Sequence, residues 1–310
     1  METQASIMLG RPAGIPADDV DTEFPSDGGE TQDSSSGIEH LSTGSPESST
    51  TNLKRAIHTF RVRHLLSQIH SFVYSKSPAC CFSKERHDRH IQHLRNKLEA
   101  WKSSIPAITC TTDPPMSLFG TSDWFALEYD YAILQLYRVK MVDPQADPGD
   151  PVFLECMGAA ERICHHYRRQ FPGGPASFTW VALHELFLAG LTYVHCLWAS
   201  PAVRNAQRHG QVRDTCTNCT IVLVVMAERW SAVAPYRDLF EILANRTIRL
   251  IETDEHDQMD PIDIPTITGG QENEEAENWA HCMLPVFEAG MSNGYNDLLS
   301  RWTVDFALSN

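Results

Sequence analysis

Apolar residues recur every three or four positions along most of the chain between residues 53 and 251, which is the period of an α-helix with one buried face. The first such stretch predicts a helix over about 53–75. The second predicts a helix over about 84–103 that carries charges on its opposite face and ends before Pro106. The apolar positions of these two helices are Ile57, Phe60, Leu65, Ile69 and Val73, then Ile91, Leu94, Leu98 and Trp101.

Polar caps and prolines mark where the next helices begin. A Thr-Ser-Asp cluster at 121–123 precedes an apolar stripe, and Asp150-Pro151 places a capping residue before a proline at the first helical position. No alternating pattern is long enough for a strand, so the sequence predicts an all-α fold of antiparallel packed helices. The remaining predicted helices cover about 177–199, 212–233 and 235–251.

Composition divides the chain into four parts. Residues 1–52 hold ten acids and one base, and we expect them to be largely disordered because 26–51 contains almost no large apolar residue to offset the entropy cost of ordering. Residues 53–251 are predicted to form the helical domain. Residues 252–277 hold ten acids and no base and predict an acidic linker, and 278–310 predict a C-terminal helical segment.

The formal net charge of −15 is distributed unevenly. Residues 53–251 contain 23 Lys and Arg against 17 Asp and Glu, and 54–102 alone contain 11 bases and three acids. Affinity for nucleic acid comes mostly from neutralised phosphates, so the acidic balance argues against direct DNA binding by the whole chain. Residues 54–102 are the region with enough positive charge for a local contact.

The most apolar stretch, 181–200, is expected to be a buried helix rather than a membrane span. It contains His184, Glu185 and His195, which are costly inside a bilayer. The N-terminus does not read as a secretory signal. Nine scattered cysteines predict reduced thiols in the cytosol or nucleus and no disulfide framework.

Two clusters have part of a metal-ligand pattern. Cys216 and Cys219 have the spacing of half a zinc site, but only His209 is near them in sequence, so ordinary thiols on a helix are favoured. The histidines at 87, 90 and 93 drift around a helix and favour a solvated polar face. We therefore predict no metal and no cofactor.

A helical small-molecule enzyme, such as a terpene cyclase, is the alternative function for an all-α chain. Asn296–Ser300 begins like a magnesium-binding motif, but Val304 stands where the acid is required. The aspartates at 18, 19 and 21 lie in a predicted loop. His184-Glu185 lacks the second histidine of a zinc-protease motif because position 188 is leucine, so no catalytic residue is predicted.

Several segments occur in an order that resembles the fungal-specific transcription factor domain, the regulatory portion of fungal zinc-cluster transcription factors. They are a Gly-Arg-Pro loop at 8–25, the helical segments 63–75, 94–106 and 127–139, and the segments 189–198 and 226–243. Val139 departs from the family, which commonly has proline there. The positions that carry the resemblance are Gly10, Arg11, Pro12, Trp101, Tyr131, Leu136, Tyr137, Arg138, Gly190, Trp198 and Trp230.

The resemblance implies a transcriptional regulator in a fungal nucleus, controlling a metabolic pathway or a secondary-metabolite gene cluster, and not an enzyme. Members of the family carry a six-cysteine zinc cluster, and no run of six closely spaced cysteines occurs in this sequence. The expectation is therefore either a truncated sequence or a regulator without its own DNA-binding module. Such a chain would act through another DNA-bound transcription factor or a coactivator.

Two further interpretations remain open at this point. A homodimer or a small-molecule effector held between helices could regulate the chain, with the aromatic residues mostly building the core. The acids at 252–277 are followed by Trp279 and Phe287, as in an acidic activation segment, although a plain linker is favoured. The aromatic residues expected in the core are Trp101, Trp124, Tyr131, Trp180, Trp198 and Trp230.

Overall fold

The structure is a computed structural model, and it describes residues 22, 24, 46–74, 84–105, 121–143, 145–170 and 179–259. Within those residues it contains eight α-helices and no strand, so the all-α prediction is confirmed. The helices are α1 (Pro46–Tyr74), α2 (Lys84–Ser103), α3 (Ser122–Val142), α4 (Pro151–Gln170), α5 (Trp180–Ala199), α6 (Pro201–Ala206), α7 (His209–Arg229) and α8 (Ala234–Met259). A 3-10 helix, Ser231–Val233, joins α7 to α8.

The predicted caps form. The Thr121 side-chain oxygen accepts a hydrogen bond from the Trp124 amide at 3.1 Å, and Asp150 accepts one from the Val152 amide at 2.9 Å. Each bond satisfies an amide that a helix N-terminus otherwise leaves without a partner. These caps fix where α3 and α4 begin.

The largest differences from the predicted helices are two helix bounds and one additional helix. α1 begins at Pro46, within the segment expected to be disordered, and α8 continues to Met259, into the predicted acidic linker. Once a helix has formed, each added residue costs little because it gains a hydrogen bond, and proline suits the first position of α1. The short helix α6 was not predicted; the Ser200 hydroxyl caps it by accepting a hydrogen bond from the Val203 amide at 3.3 Å.

The described helices fall into two compact units. The first unit lies within residues 13–129, and the second is formed by the described residues from 130 onward. α1 and α2 run antiparallel and bury their apolar faces against each other, which gives the first unit a core of its own. α3 supplies its first eight residues to the first unit and the rest to the second.

α5 is the central helix of the second unit, and α4, α7 and α8 pack against it. Every residue from Ala182 to Leu197 is buried. This helix is long and apolar enough to cross a membrane, but 89% of its most apolar window is buried inside the protein. The prediction of a buried core helix is therefore confirmed.

Gly190 permits the closest approach in this core. A Cβ atom placed on Gly190 would lie 2.6 Å from a ring carbon of Phe240 in α8 and 2.8 Å from the sulfur of Cys219 in α7. Both distances are shorter than van der Waals contact, and both neighbours are buried in a close-packed interior. A side chain at this position would force α7 and α8 away from α5.

We therefore expect Gly190→Ala to lower the free energy of unfolding by about 1–3 kcal/mol, the usual cost of overpacking. Urea denaturation followed by circular dichroism measures the change. Gly210→Ala is the matched control, because nothing lies within 4 Å of a Cβ atom at Gly210 in the first turn of α7. The control should be neutral or stabilising by up to about 1 kcal/mol; equal losses in both variants would contradict the packing argument.

Candidate functional site

Trp101 joins the two long helices of the first unit. Its indole nitrogen donates a hydrogen bond to the backbone carbonyl of His58 at 3.0 Å, and its ring packs edge-on against Phe125 with centroids 6.0 Å apart. His58 lies on α1 and Phe125 on α3, so one side chain of α2 ties three helices together. The family-motif tryptophan at this position therefore has a packing role.

A buried carboxylate anchors the start of α3 to α1. Glu128 is only 2% exposed and accepts a hydrogen bond from the Arg63 guanidinium at 2.7 Å. The same guanidinium lies over the Trp124 ring at 5.6 Å from its centroid. A buried carboxylate that loses its cation is costly because its desolvation is no longer compensated.

Arg63→Met, which keeps an apolar stem but removes the charge, should therefore destabilise the first unit by about 3 kcal/mol. Adding Glu128→Gln removes the uncompensated charge, and the double variant should recover most of the loss. Urea titrations of the parent, both single variants and the double variant complete the cycle. Additive losses in the double variant would show that the ion pair does not stabilise the unit.

The remaining motif residues on α3 are buried in the second unit. Tyr131, Leu136, Tyr137 and Arg138 are all at least 90% buried. Arg138 acts electrostatically on His184 of α5. On α5 itself, the Trp198 indole nitrogen donates to the Thr247 hydroxyl of α8 at 2.9 Å. The four α3 side chains are therefore used within the core, whereas Trp198 is half-buried.

Two buried histidines of α5 are held in their neutral form. Burial, together with the nearby Arg138 charge, lowers the pKa of His184 to about 3. Burial also lowers the pKa of His195, although its ring nitrogen contacts the Met141 carbonyl at 3.1 Å. Neither histidine is poised for acid–base exchange near neutral pH.

The shift at His184 predicts a pH dependence. The folded-state pKa lies below the unfolded value of 6.5, so the unfolded state takes up the proton first as pH falls. Stability is therefore present above pH 6.5 and lost below it, by about 1.4 kcal/mol per pH unit for this one group.

His184→Gln should remove about that slope from a plot of unfolding free energy against pH between 6.5 and 5, whatever its effect on stability at pH 7.5. Thr192→Val on the same helix changes a buried side chain without a titrating group and should leave the slope unchanged. An unaltered slope in His184→Gln would contradict the assignment.

Cys216 and Cys219 lie on the buried face of α7. Burial raises the pKa of Cys216 to about 12, and burial together with Cys164 of α4 raises that of Cys219. Metal ligation and nucleophilic attack both need the thiolate, which this environment disfavours. Nearby His209 is directed to the Ile251 carbonyl at 2.7 Å.

The histidines at 87, 90 and 93 lie on the exposed face of α2, as predicted for a polar face. His87 and His90 both stack on Phe72 of α1, with ring centroids 5.0 and 3.9 Å from it. Across the described part of the chain, no group of three His, Cys, Asp or Glu residues could hold a metal ion.

The aromatic residues do not all enter the core. Trp101, Trp124 and Tyr131 are buried as predicted, Trp198 is half-buried, and Trp180 and Trp230 are 37% and 38% exposed. Their rings pack edge-on with centroids 5.4 Å apart, where α5 begins and α7 ends. Both sit at helix ends, where fewer neighbours are available to cover them. A tryptophan count alone does not reveal this difference.

A small cavity lies between α7 and α8, lined by His209, Val212, Arg213, Ile248, Ile251 and Glu252. Its volume is about 10 Å³, which is room for one water molecule. Small-molecule sites usually occupy hundreds of cubic ångströms. This cavity does not supply the effector pocket that the sequence left open.

Some predicted positions lie outside the described residues. They include Gly10, Arg11 and Pro12 of the family loop, the aspartates at 18, 19 and 21, Trp279 and Phe287, and the partial magnesium motif at 296–300. Cys80, Cys81, Cys110 and Cys282 also lie there.

Comparison with known proteins finds a family model that matches the first third of the chain. Residues 1–103 match the family model of the fungal specific transcription factor domain. The chain is 24% identical over 281 residues to the positive regulator of purine utilization of Emericella nidulans, an alignment that covers 79% of this chain and 26% of that protein. No solved structure matches.

Two relatives from Saccharomyces cerevisiae are similar over shorter stretches. An uncharacterized transcriptional regulatory protein is 29% identical over 178 residues, covering 50% of this chain and 12% of that protein. Pyrimidine pathway regulatory protein 1 is 23% identical over 201 residues, covering 63% of this chain and 21% of that protein. The chain thus spans about a quarter or less of the length of these relatives.

The resemblance inferred from the order of the motifs is confirmed: residues 1–103 match the family model, and the chain is similar to fungal regulatory proteins. The family model ends at residue 103, while the alignment with the Emericella nidulans regulator covers 79% of the chain. That alignment therefore extends beyond residue 103, into the part of the chain that carries the later motif segments.

Proposed function

We propose that this protein regulates transcription of fungal metabolic genes in the nucleus and does so by binding other proteins, not by catalysis. The observation that carries this proposal is where the motif side chains lie in the fold. Trp101 and Tyr131 are buried and Gly190 permits close packing, so these motif residues serve the interior and the outer surface is left for function. A helical scaffold that presents surfaces suits recruitment of a partner.

The electrostatics of the described residues support binding over chemistry. The buried thiols and the buried histidines of α5 are kept uncharged, and the small cavity between α7 and α8 holds no more than a water molecule. Catalysis requires groups that exchange protons or attack a substrate at working pH. Surface recognition requires neither.

The target genes follow from the relatives as a first hypothesis. Two of them are named for regulation of purine utilization and of the pyrimidine pathway. Genes of nucleobase metabolism are therefore the first set to examine by transcript profiling of a deletion strain, with secondary-metabolite gene clusters as the second set. We further propose that another DNA-bound factor brings this chain to promoters.

A tethering experiment tests the regulatory function directly. The full chain is fused to a heterologous DNA-binding domain and expressed in a fungal host with a reporter that carries the matching operator. We expect reporter output to change at least threefold relative to the DNA-binding domain alone. A fusion carrying Gly190→Ala, whose second unit should be destabilised, should give a smaller change. No change at equal nuclear protein levels would contradict the proposal.

A further inference from the structure

One face of α1 carries large apolar side chains that remain in solvent. Leu53 is 49% exposed and Phe60, two turns further along, is 57% exposed. One more turn along lies His64, against whose ring Phe24 packs edge-on at 5.9 Å while staying 41% exposed itself. Among the described residues of the first unit, Phe24, Leu53 and Phe60 are the exposed large apolar side chains. Leu53 and Phe60 lie in a row on α1, and Phe24 lies at the end of that row through its contact with His64.

The spacing makes this line a surface rather than a scatter of side chains. Leu53, Phe60 and His64 follow the seven- and four-residue steps that keep side chains on one face of a helix. The line is about 16 Å long at 1.5 Å per residue, or three turns. Single exposed apolar residues are ordinary, but a contiguous row of them usually marks a binding surface.

Positive charge borders the row. Lys54 and Arg61 are seven residues apart and each follows an apolar member by one residue, so both lie about 100° around the helix from the row, on the same side of it. Neither forms an ion pair with a residue that the structure describes. From Leu53 to Tyr74, α1 contains no acid at all. The surface, which we call the α1 stripe, thus combines an apolar row with an unneutralised cationic edge.

This charge pattern discriminates between occupants. A second copy pairing through its own α1 stripe would bring only cations to the cationic edge, since that stretch of α1 has no acid to offer in either orientation. Like charges at an interface cost free energy and suppress the wrong partner. An amphipathic helix with carboxylates beside its apolar face would satisfy both the row and the edge.

We propose that the α1 stripe is a docking site for an acidic amphipathic helix of a partner protein. This inference rests on the proposed function, for which it specifies the chemistry of the partner. Apolar side chains of the partner at i, i+4 and i+7 cover Leu53 and Phe60. The partner's carboxylates form ion pairs with Lys54 and Arg61.

The test uses two labelled helical peptides of equal length and identical apolar face, one with glutamates beside that face and one with lysines. Fluorescence anisotropy with the purified full chain measures both. We expect the glutamate peptide to bind at least tenfold more tightly, with affinity falling as salt rises. Phe60→Ser should weaken it at least tenfold, while Leu154→Ser, at an apolar site 50% exposed on α4, should not.

Charge reversal provides the second arm. The double variant Lys54→Glu with Arg61→Glu should exchange the preference, binding the lysine peptide more tightly. Circular dichroism confirms that each variant is folded, as expected for exposed positions. Equal binding of the two peptides, or glutamate-peptide affinity unaffected by Phe60→Ser, would overturn the proposal.

Other occupants would also show themselves. Sedimentation that reveals a dimer abolished by Phe60→Ser would assign the stripe to a second copy and overturn the proposal. Displacement of the glutamate peptide by random-sequence duplex DNA at physiological salt would assign it to nucleic acid, with the same consequence. Peptide binding without reporter activity in the tethering experiment would count against the proposed function alone, and reporter activity without peptide binding would count against the docking site alone.

Discussion

The second unit depends on the complete burial of α5. This helix is apolar around its whole circumference, so it must be covered on every side, and α4, α7 and α8 supply that cover. Two of its buried polar side chains have partners inside the unit: the Tyr167 hydroxyl donates to Glu185 at 2.7 Å, and His195 contacts the Met141 carbonyl. Gly190 then lets the neighbouring helices approach to contact distance. The burial that stabilises this core also keeps its histidines uncharged at neutral pH.

The first unit is stabilised differently. Besides their shared apolar core, its three helical segments are joined by directional contacts, chiefly the Trp101 hydrogen bond and the ion pair of Arg63 with the buried Glu128. These contacts use the inner faces of α1 and α2. The outer face of α1 keeps exposed apolar side chains and the positive charges of Lys54 and Arg61. An interaction surface is thus a consequence of how the hairpin satisfies its interior.

Most of the helices could be predicted from the sequence because their apolar period and their caps are local signals. α2 matches its predicted range, and the Thr121 and Asp150 caps form as expected. The division into two units could not be predicted, since it depends on which faces meet in space. The same limit applies to Trp180 and Trp230, whose partial exposure reflects their places at helix ends. α6 lacks the length for a periodic signal.

The candidate site was less predictable than the fold. Motif matching selected Trp101, Tyr131, Gly190 and Trp198, which the structure uses for packing. The α1 stripe could not be predicted, because the apolar period assigns Phe60 to the buried face of its helix, whereas the structure leaves it 57% exposed. A period of three and four residues shows which side chains share a face of a helix. A long helix can carry two apolar faces, and the period does not show which of them is buried.

Hydrogen exchange measured by mass spectrometry tests the central claim, that a fully enclosed α5 organises the second unit and leaves function to the surface. The account predicts that amides between Ala182 and Leu197 exchange more slowly than those of any other described segment of the second unit, close to the rate of global unfolding. Exchange in this segment as fast as in the short helix α6 would mean that α5 is not enclosed, and would contradict the account.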